Sequence, residues 1–453
     1  MSEIEFGQHG NALRWQQVDD PTTIDPRAWD ALLARQRTPT PFMRHAYLAA
    51  LHSSGSAVPE TGWSPRFLLL WDGDDLAAAC PLYIKAHSYG EYVFDWAWAN
   101  AYAEHGLRYY PKALVAVPFT PVPGSRLLAR DADARAALVQ ALIGYCRKER
   151  LSSLHVLYGD EDDLAVCDAA GLMRREQIQF HWNNVRPPRS AAAPAALPPT
   201  GEGPAVTPQA GALAALGRPG GGRIAPNESD SAGQGEAFTS FNDFLASLSH
   251  DKRKKIRQER KRVADAGVRF RWARGADIAA EDWAFFYRCY ERTYLEHGNA
   301  PYLTPAFFAR MATEMADDWV LFVAEHDGDP IACSLIAVSA GGSKADGPND
   351  IQCAPPVAYG RYWGALARVD RLHFEACYYR PIEWCIAHGV VRFEGGAQGE
   401  HKMARALMPV ATPSAHWLAH PAFADAVERF LERETEGVGR YLEHLEQRSP
   451  FRQ

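Results

Sequence analysis

Two stretches of the chain repeat one another. An apolar run at 66–71 meets Asp72-Gly73-Asp74-Asp75 and returns over 76–85; a second at 319–325 meets Asp327-Gly328-Asp329-Pro330 and returns over 331–339. Asp and Gly tolerate the left-handed conformations that a tight hairpin turn requires. Two helical patterns precede each hairpin (25–34 and 42–51; 283–295 and 305–315), and each is followed by an irregular section, a helix and a strand (132–158; 380–393). An αα-ββ-…-α-β unit present twice builds two similar halves. Its order suits a mixed sheet flanked by helices. At 453 residues the chain also exceeds one ordinary core. Between the halves, 186–236 is dominated by Ala, Pro, Gly and Ser. Such a segment buries too little apolar surface to offset its ordering entropy, so a disordered linker is expected there, with a smaller insertion of the same kind at 341–356. The expected domains are 1–185 and 237–453, joined by 186–236.

The net charge of −7 argues against a surface wholly devoted to nucleic acid. Eight cysteines without a Cys-x-x-Cys pair read as reduced, buried thiols. No apolar stretch approaches the ~20 residues that span a bilayer. These features predict a soluble cytoplasmic protein able to act near a membrane. Against the acidic background stands 252–262, a helix with basic residues at 252, 253, 254, 255, 257, 260, 261 and 262 and an inward stripe of Ile256 and Val263. It is either a solvated face or an anion site for phosphates of a nucleotide cofactor or an RNA backbone, with Lys254 and Arg257 among its donors.

The densest chemistry lies at 392–405. Gly395, Gly396 and Gly399 let backbone N–H groups approach a ligand, and Glu394, Glu400, His401 and Lys402 stand ready to act on it. The spacing predicts helix, strand and glycine-rich loop in turn. Upstream, 372–379 alternates as a strand would, which puts His373, Glu375 and Cys377 on one face. Their spacing suits no zinc site, so no metal is expected. The aromatic cluster at 89–110 reads as core and interface, or as a platform for bases or sugars.

Several longer motifs stand in a fixed order: Tyr109-Tyr110-Pro111-Lys112, Val117-Pro118-Phe119-Thr120-Pro121-Val122, Gln179-Phe180-His181-Trp182-Asn183, Lys252-Arg253-Lys254-Lys255-Ile256-Arg257, Tyr359-Gly360-Arg361-Tyr362-Trp363-Gly364, His373-Phe374-Glu375, Gly396-Ala397-Gln398-Gly399-Glu400-His401-Lys402 and Ser414-Ala415-His416-Trp417. Together they resemble the FemAB-like peptidoglycan biosynthesis/recognition family over nearly all of the chain outside 186–236 and 341–356. The resemblance implies an α/β (α+β) fold of two tandem GNAT-like domains with mixed central sheets. It also implies an N-acyltransferase that takes an acyl or aminoacyl group from acyl-CoA or aminoacyl-tRNA, with no covalently bound cofactor. The acceptor is an amine, a small molecule or a cell-wall precursor, and the basic helix is a foothold for tRNA. Glu375, held beside His373, is the preferred base, with Glu394, Glu400, His401 and His373 itself as alternatives. Lys402 resembles the lysine that follows the family's glycine-containing loop and implies phosphate binding or charge stabilisation. Gly395, Gly396, Gln398, Gly399, Arg361, Tyr362, Lys254 and Arg257 are expected on the donor side, and Tyr110, Lys112, Phe119, Thr120 and His181 along the acceptor groove. No nucleophile elbow is visible, so direct transfer is expected rather than an acyl-enzyme. The chain departs from the pattern in its long linker and in Ala406, where a glycine is expected. The competing reading is a non-catalytic module that recognises a cell-wall precursor or RNA.

Overall fold

A computed structural model of the chain describes residues 13–186, 235–339, 355–397 and 399–452. The 186–236 and 341–356 expectations fall almost wholly outside these residues, as does Gln398. The first half contributes β1 (Arg14–Val18), β2 (Trp63–Pro65), β3 (Phe67–Asp72), β4 (Asp75–Cys80), β5 (Leu82–Lys85), β6 (Lys112–Val115), β7 (Leu128–Ala129), β8 (Ser153–Leu157) and β9 (Met173–Asn183). The second contributes β10 (Val268–Arg274), β11 (Trp319–His326), β12 (Asp329–Val338), β13 (Val357–Ala365), β14 (Arg392–Ala397) and β15 (Met408–Leu418).

Both repeated hairpins form. The turn between β11 and β12 has positive φ at Asp327 (53°) and Gly328 (90°), the conformation that matches the right-handed twist of the arms. In the first half, β2–β3 and β4–β5 are the arms of one long hairpin, joined where Arg66 N–H donates to Leu82 C=O at 2.7 Å. Its outer part belongs with β1 and β7 to a four-stranded sheet, and its inner part to an eleven-stranded sheet of order β10-β11-β12-β13-β14-β9-β15-β8-β6-β5-β2. β11 is buried along most of its length, as its continuous apolar run requires.

In each half a hairpin arm pairs antiparallel with the next strand, which pairs parallel with the one after: β5, β6, β8 and β12, β13, β14. The last strands are then exchanged. β9 of the first half lies against β14, β15 of the second lies against β8, and the two run antiparallel to each other from Met408↔His181 to His416↔Met173. Read outward from the β9–β15 pair, the two sides give the same succession as far as β11 and β2, with a pseudo-twofold axis between β9 and β15; β10 has no counterpart in this sheet. Helices cover its faces, among them Ala132–Lys148, Ala280–Glu296 and Pro421–Glu446. One apolar cluster runs through both halves; Phe42 meets Tyr359 and Tyr47 meets Phe307, each edge-on at 5.3 Å. The fold is thus the mixed α/β class expected from the sequence.

Two local expectations are corrected. Residues 372–379 are helical: Leu372–Phe374 leads into a π-helical turn, Glu375–Tyr379, and on into the helix Arg380–Ala387. Buried side chains fall at Leu372, Ala376, Tyr379, Ile382 and Cys385, a helical spacing that outweighs the short alternation. His373, Glu375 and Cys377 therefore do not share a strand face. Pro381 lies inside the continuous helical run, in Arg380–Ala387. It follows the wide turn in which Arg380 N–H reaches back to Glu375 C=O, an arrangement that absorbs a missing donor. The second correction concerns Gly395 and Gly396, which end β14 rather than form a loop.

Candidate functional site

The parallel pair β13–β14 is joined only from Val357↔Arg392 to Tyr359↔Glu394. Both strands then bulge. On β13 the register passes from Ile336↔Gly360 to Leu335↔Tyr362, which leaves Arg361 as the extra residue. On β14 it passes from Glu394↔His181 to Ala397↔Gln179, so Gly395 and Gly396 share one partner position. A bulge takes backbone groups out of the ladder and re-aims a side chain. Gly395 is obligatory here, because a Cβ would stand 2.3 Å from Leu407 Cδ2 and 2.9 Å from Phe180 C=O. The pair β6–β8 parts after Val115↔Val156 and runs opposite to β14, so the two divergences open toward each other across β9 and β15. Between them lies a cleft of about 590 Å³. Arg361, Tyr362 and Glu394–Ala397 line one side and Phe119–Val122 the other, with Gln177–Gln179 of β9 between.

Arg361 dominates the cleft electrostatically. Its Nη2 donates to Phe119 C=O at 3.0 Å and Thr120 Oγ1 at 3.3 Å, its plane lies 5.1 Å from the Phe42 ring and 5.2 Å from that of Tyr362, and its Nε is buried without an acceptor. It pairs with no carboxylate among the described residues. Burial opposes its charge, but the surrounding Tyr362, Tyr47 and Tyr92 more than offset this, and its pKa is raised.

Glu394 is buried opposite. Oε1 accepts from Arg392 Nη2 at 3.0 Å; Oε2 lies 4.0 Å from His181 Nε2 and has no hydrogen-bond partner. Burial outweighs Arg392 and raises its pKa. His181 is pushed down to about 3 by burial and is neutral. Glu176 is likewise raised by burial, whereas Glu434 is tied to Arg175 at 2.8 Å. The arrangement pairs a proton acceptor in a low-dielectric setting with a cation that lacks a counter-charge.

The cleft thus gathers Glu394, Gly395, Gly396, Arg361, Tyr362 and Phe119, with Thr120 and His181 in contact. The other expected residues lie elsewhere. Glu375 is buried between Arg260 (3.0 Å) and Arg380 (2.8 Å). His373 packs on Trp363 at 5.4 Å and Tyr378 at 5.6 Å, and burial pushes it down to about 4. His401 is exposed beside Tyr378 Oη, 3.3 Å away, and lies against Gly399. Lys402 is buried, and its ammonium donates to the carbonyls of Gly395 (2.7 Å), Gly396 (3.1 Å) and Ala397 (2.8 Å). It holds the β14 bulge from behind, with no donor left over for a phosphate. Lys112 is fully buried beneath Ser88, Glu91 and Asp95, and Tyr110 donates to or accepts from Ser88 Oγ at 2.8 Å. Lys254 and Arg257 sit with His250, Arg253 and Lys261 on the outer face of the helix His250–Asp265.

Tyr92 and Phe94 of the aromatic cluster at 89–110 also line the cleft, as do Tyr290 and Tyr294, which were not singled out from the sequence. The i,i+4 spacing of Tyr290 and Tyr294 was the available signal. Gly360 inside an apolar strand was the signal for the bulge that presents Arg361.

The family model described as FemAB-like, peptidoglycan biosynthesis/recognition, matches residues 20–188 and 231–453. No curated protein matches. Among solved structures the chain is similar to FemX (10% identity, 91% of this chain and 100% of that one, TM-score 0.49). It is also similar to L-PGS from Bacillus licheniformis (9%, 92% and 97%, 0.46) and to a tandem GNAT protein from the clavulanic acid biosynthesis pathway (12%, 90% and 98%, 0.40). At these identities no residue's role passes from those proteins to this one. The family match, which covers both halves and every strand of the central sheet, places this chain in the FemAB-like peptidoglycan biosynthesis/recognition family.

Proposed function

We propose that the chain is an N-acyltransferase that moves an acyl or aminoacyl group onto an amine within the central cleft. The acceptor nitrogen attacks the donor's acyl carbon, Glu394 Oε2 takes the amine proton, and the intermediate collapses as the C–S bond to a departing thiolate breaks, or as the C–O bond to the ribose breaks and Glu394 returns the proton to that oxygen. Backbone groups freed at the Gly395–Gly396 bulge supply donors for the oxyanion, and Arg361 holds an anionic part of donor or acceptor. The reading rests on one observation: an unpartnered, buried carboxylate oxygen and a guanidinium without a carboxylate partner among the described residues belong to residues that line the same cleft, where β13 and β14 part. The basic stripe of His250, Arg253, Lys254, Arg257 and Lys261 supports an aminoacyl-tRNA as donor, because phosphate contacts of this kind are electrostatic and salt-sensitive.

Turnover of charged tRNA and of acyl-CoA with an amine acceptor tests it. Glu394→Gln should lower kcat by about 100-fold or more. A base with a raised pKa works only when deprotonated, so the wild-type rate should climb with pH through that raised value and the variant should lose this limb. Binding of a donor with no transfer, or a Glu394→Gln variant of full activity, would overturn the proposal. A preference for acyl-CoA with weak salt dependence would replace the tRNA arm.

A further inference from the structure

Exposed aromatic side chains gather in one part of the first half. Tyr89, Phe94, Trp96 and Leu107 are 60%, 54%, 40% and 39% exposed, although most large apolar side chains of the chain are buried. They are held firmly. The Lys112 ammonium, buried beneath them, ties Ser88 (2.7 Å), Glu91 (2.7 Å) and Asp95 together, and Tyr109 Oη donates to Asp95 at 2.6 Å. The Tyr89 and Trp96 rings meet edge-on at 5.4 Å. A rigid apolar patch in water is costly unless something covers it.

Beside the patch, reached through the Tyr110–Ser88 hydrogen bond, is a cleft of about 800 Å³ lined by Leu107, Arg108, Tyr110, Arg147, Arg150 and Trp417. The three arginines are exposed, and none pairs with a carboxylate among the described residues; Arg147 lies 5.7 Å from the Trp417 ring. Glu104 and Glu149 neighbour these arginines in the chain, and Asp425 and Glu428 stand in the helix that begins at the cleft, but the cleft lining itself holds the three arginines and no carboxylate, on a protein of net charge −7. Cations and half-exposed aromatic rings side by side match a surface that is anionic outside and apolar beneath.

We propose that this face docks on an anionic phospholipid bilayer. Tyr89, Phe94, Trp96 and Leu107 enter the boundary between headgroups and acyl chains, where amphipathic rings are favoured. Arg108, Arg147 and Arg150 take lipid phosphates in the cleft. Phe94 belongs to both this face and the lining of the central cleft, so docking brings that cleft to the bilayer surface. The inference stands on this surface alone and does not depend on the reaction.

Co-sedimentation of the full chain with vesicles of phosphatidylcholine, alone or mixed with phosphatidylglycerol, tests it. The chain should bind the anionic vesicles preferentially and less as salt rises. Each of Arg108→Gln, Arg147→Gln and Arg150→Gln should lower partitioning about fivefold. Tyr89→Ser with Trp96→Ser should lower it at unchanged melting temperature, and Arg361→Gln should leave it unchanged. Equal binding to both vesicle types, insensitivity to these variants, or uptake of inorganic pyrophosphate by the arginine cleft without vesicle binding would each overturn it.

Discussion

An ammonium has three N–H donors, and Lys402 spends all three on the consecutive carbonyls of Gly395, Gly396 and Ala397. Burial lowers its pKa to about 8, so it is largely charged at neutral pH. It acts as the rivet of the β14 bulge. Lys402→Met should remove the charge and leave three carbonyls without their donor, at a loss of about 2–4 kcal/mol in urea-denaturation stability. Lys402→Arg should not restore it, because a planar fork cannot cap three converging acceptors. The sequence marked this lysine as important; its partner could not be read, since Lys402 and a ligand-binding lysine have the same spacing from the glycines. Glu394 was legible as a candidate for the same reason that Glu375 was. Both are buried, and only their neighbours separate a carboxylate held between two arginines from one with an unpartnered oxygen.

At the scale of elements, the exchanged strand β15 is fixed by a buried polar chain. His416 faces His155 across the ladder with Nδ1 atoms 2.7 Å apart, Ser414 Oγ lies 2.8 Å from His416 Nε2, and Ser153 Oγ lies 2.8 Å from His155 Nε2. Burial pushes His155 down to about 3 and His416 well below its ordinary value, so both are neutral. The sign follows from linkage: the unfolded chain protonates these rings below pH 6.5 and the folded chain does not, so their contribution is lost as pH falls. The stability difference between wild type and His416→Gln should narrow by about 2 kcal/mol between pH 7 and pH 5, measured by urea denaturation at each pH. Hairpins and most helices were legible because their patterns are local. β15 was not, because Pro409 and Pro413 break the pattern of a paired strand. Both prolines lie where β15 pairs with β9 alone, before the β8 ladder begins at Ser414↔Leu157, so a missing N–H is tolerated there.

At the scale of the molecule, the repeat predicted two halves, whereas the exchange makes them mutually dependent. Neither can pair its innermost parallel strand, β8 or β14, on both sides without the other's last strand. A chain cut within 187–234 should therefore remain a single particle in size-exclusion chromatography. The segments 13–186 and 235–452 produced separately should aggregate, because each exposes an unpaired strand edge. Independent, soluble, monomeric halves would contradict this. The central cleft was not legible as a place, since its walls come from sequence positions hundreds of residues apart that only the exchanged strands bring together.

The exchange also sets a timetable for synthesis. As the chain leaves the ribosome, the first half emerges with β8 unpaired on one side, and its partner, Met408–Leu418, is made only after every other strand of the sheet. Sheet completion, and with it the cleft, must await synthesis of that strand. Nascent chains of this protein should accordingly lean on chaperones until β15 has emerged, a dependence that independently closing tandem domains would not have.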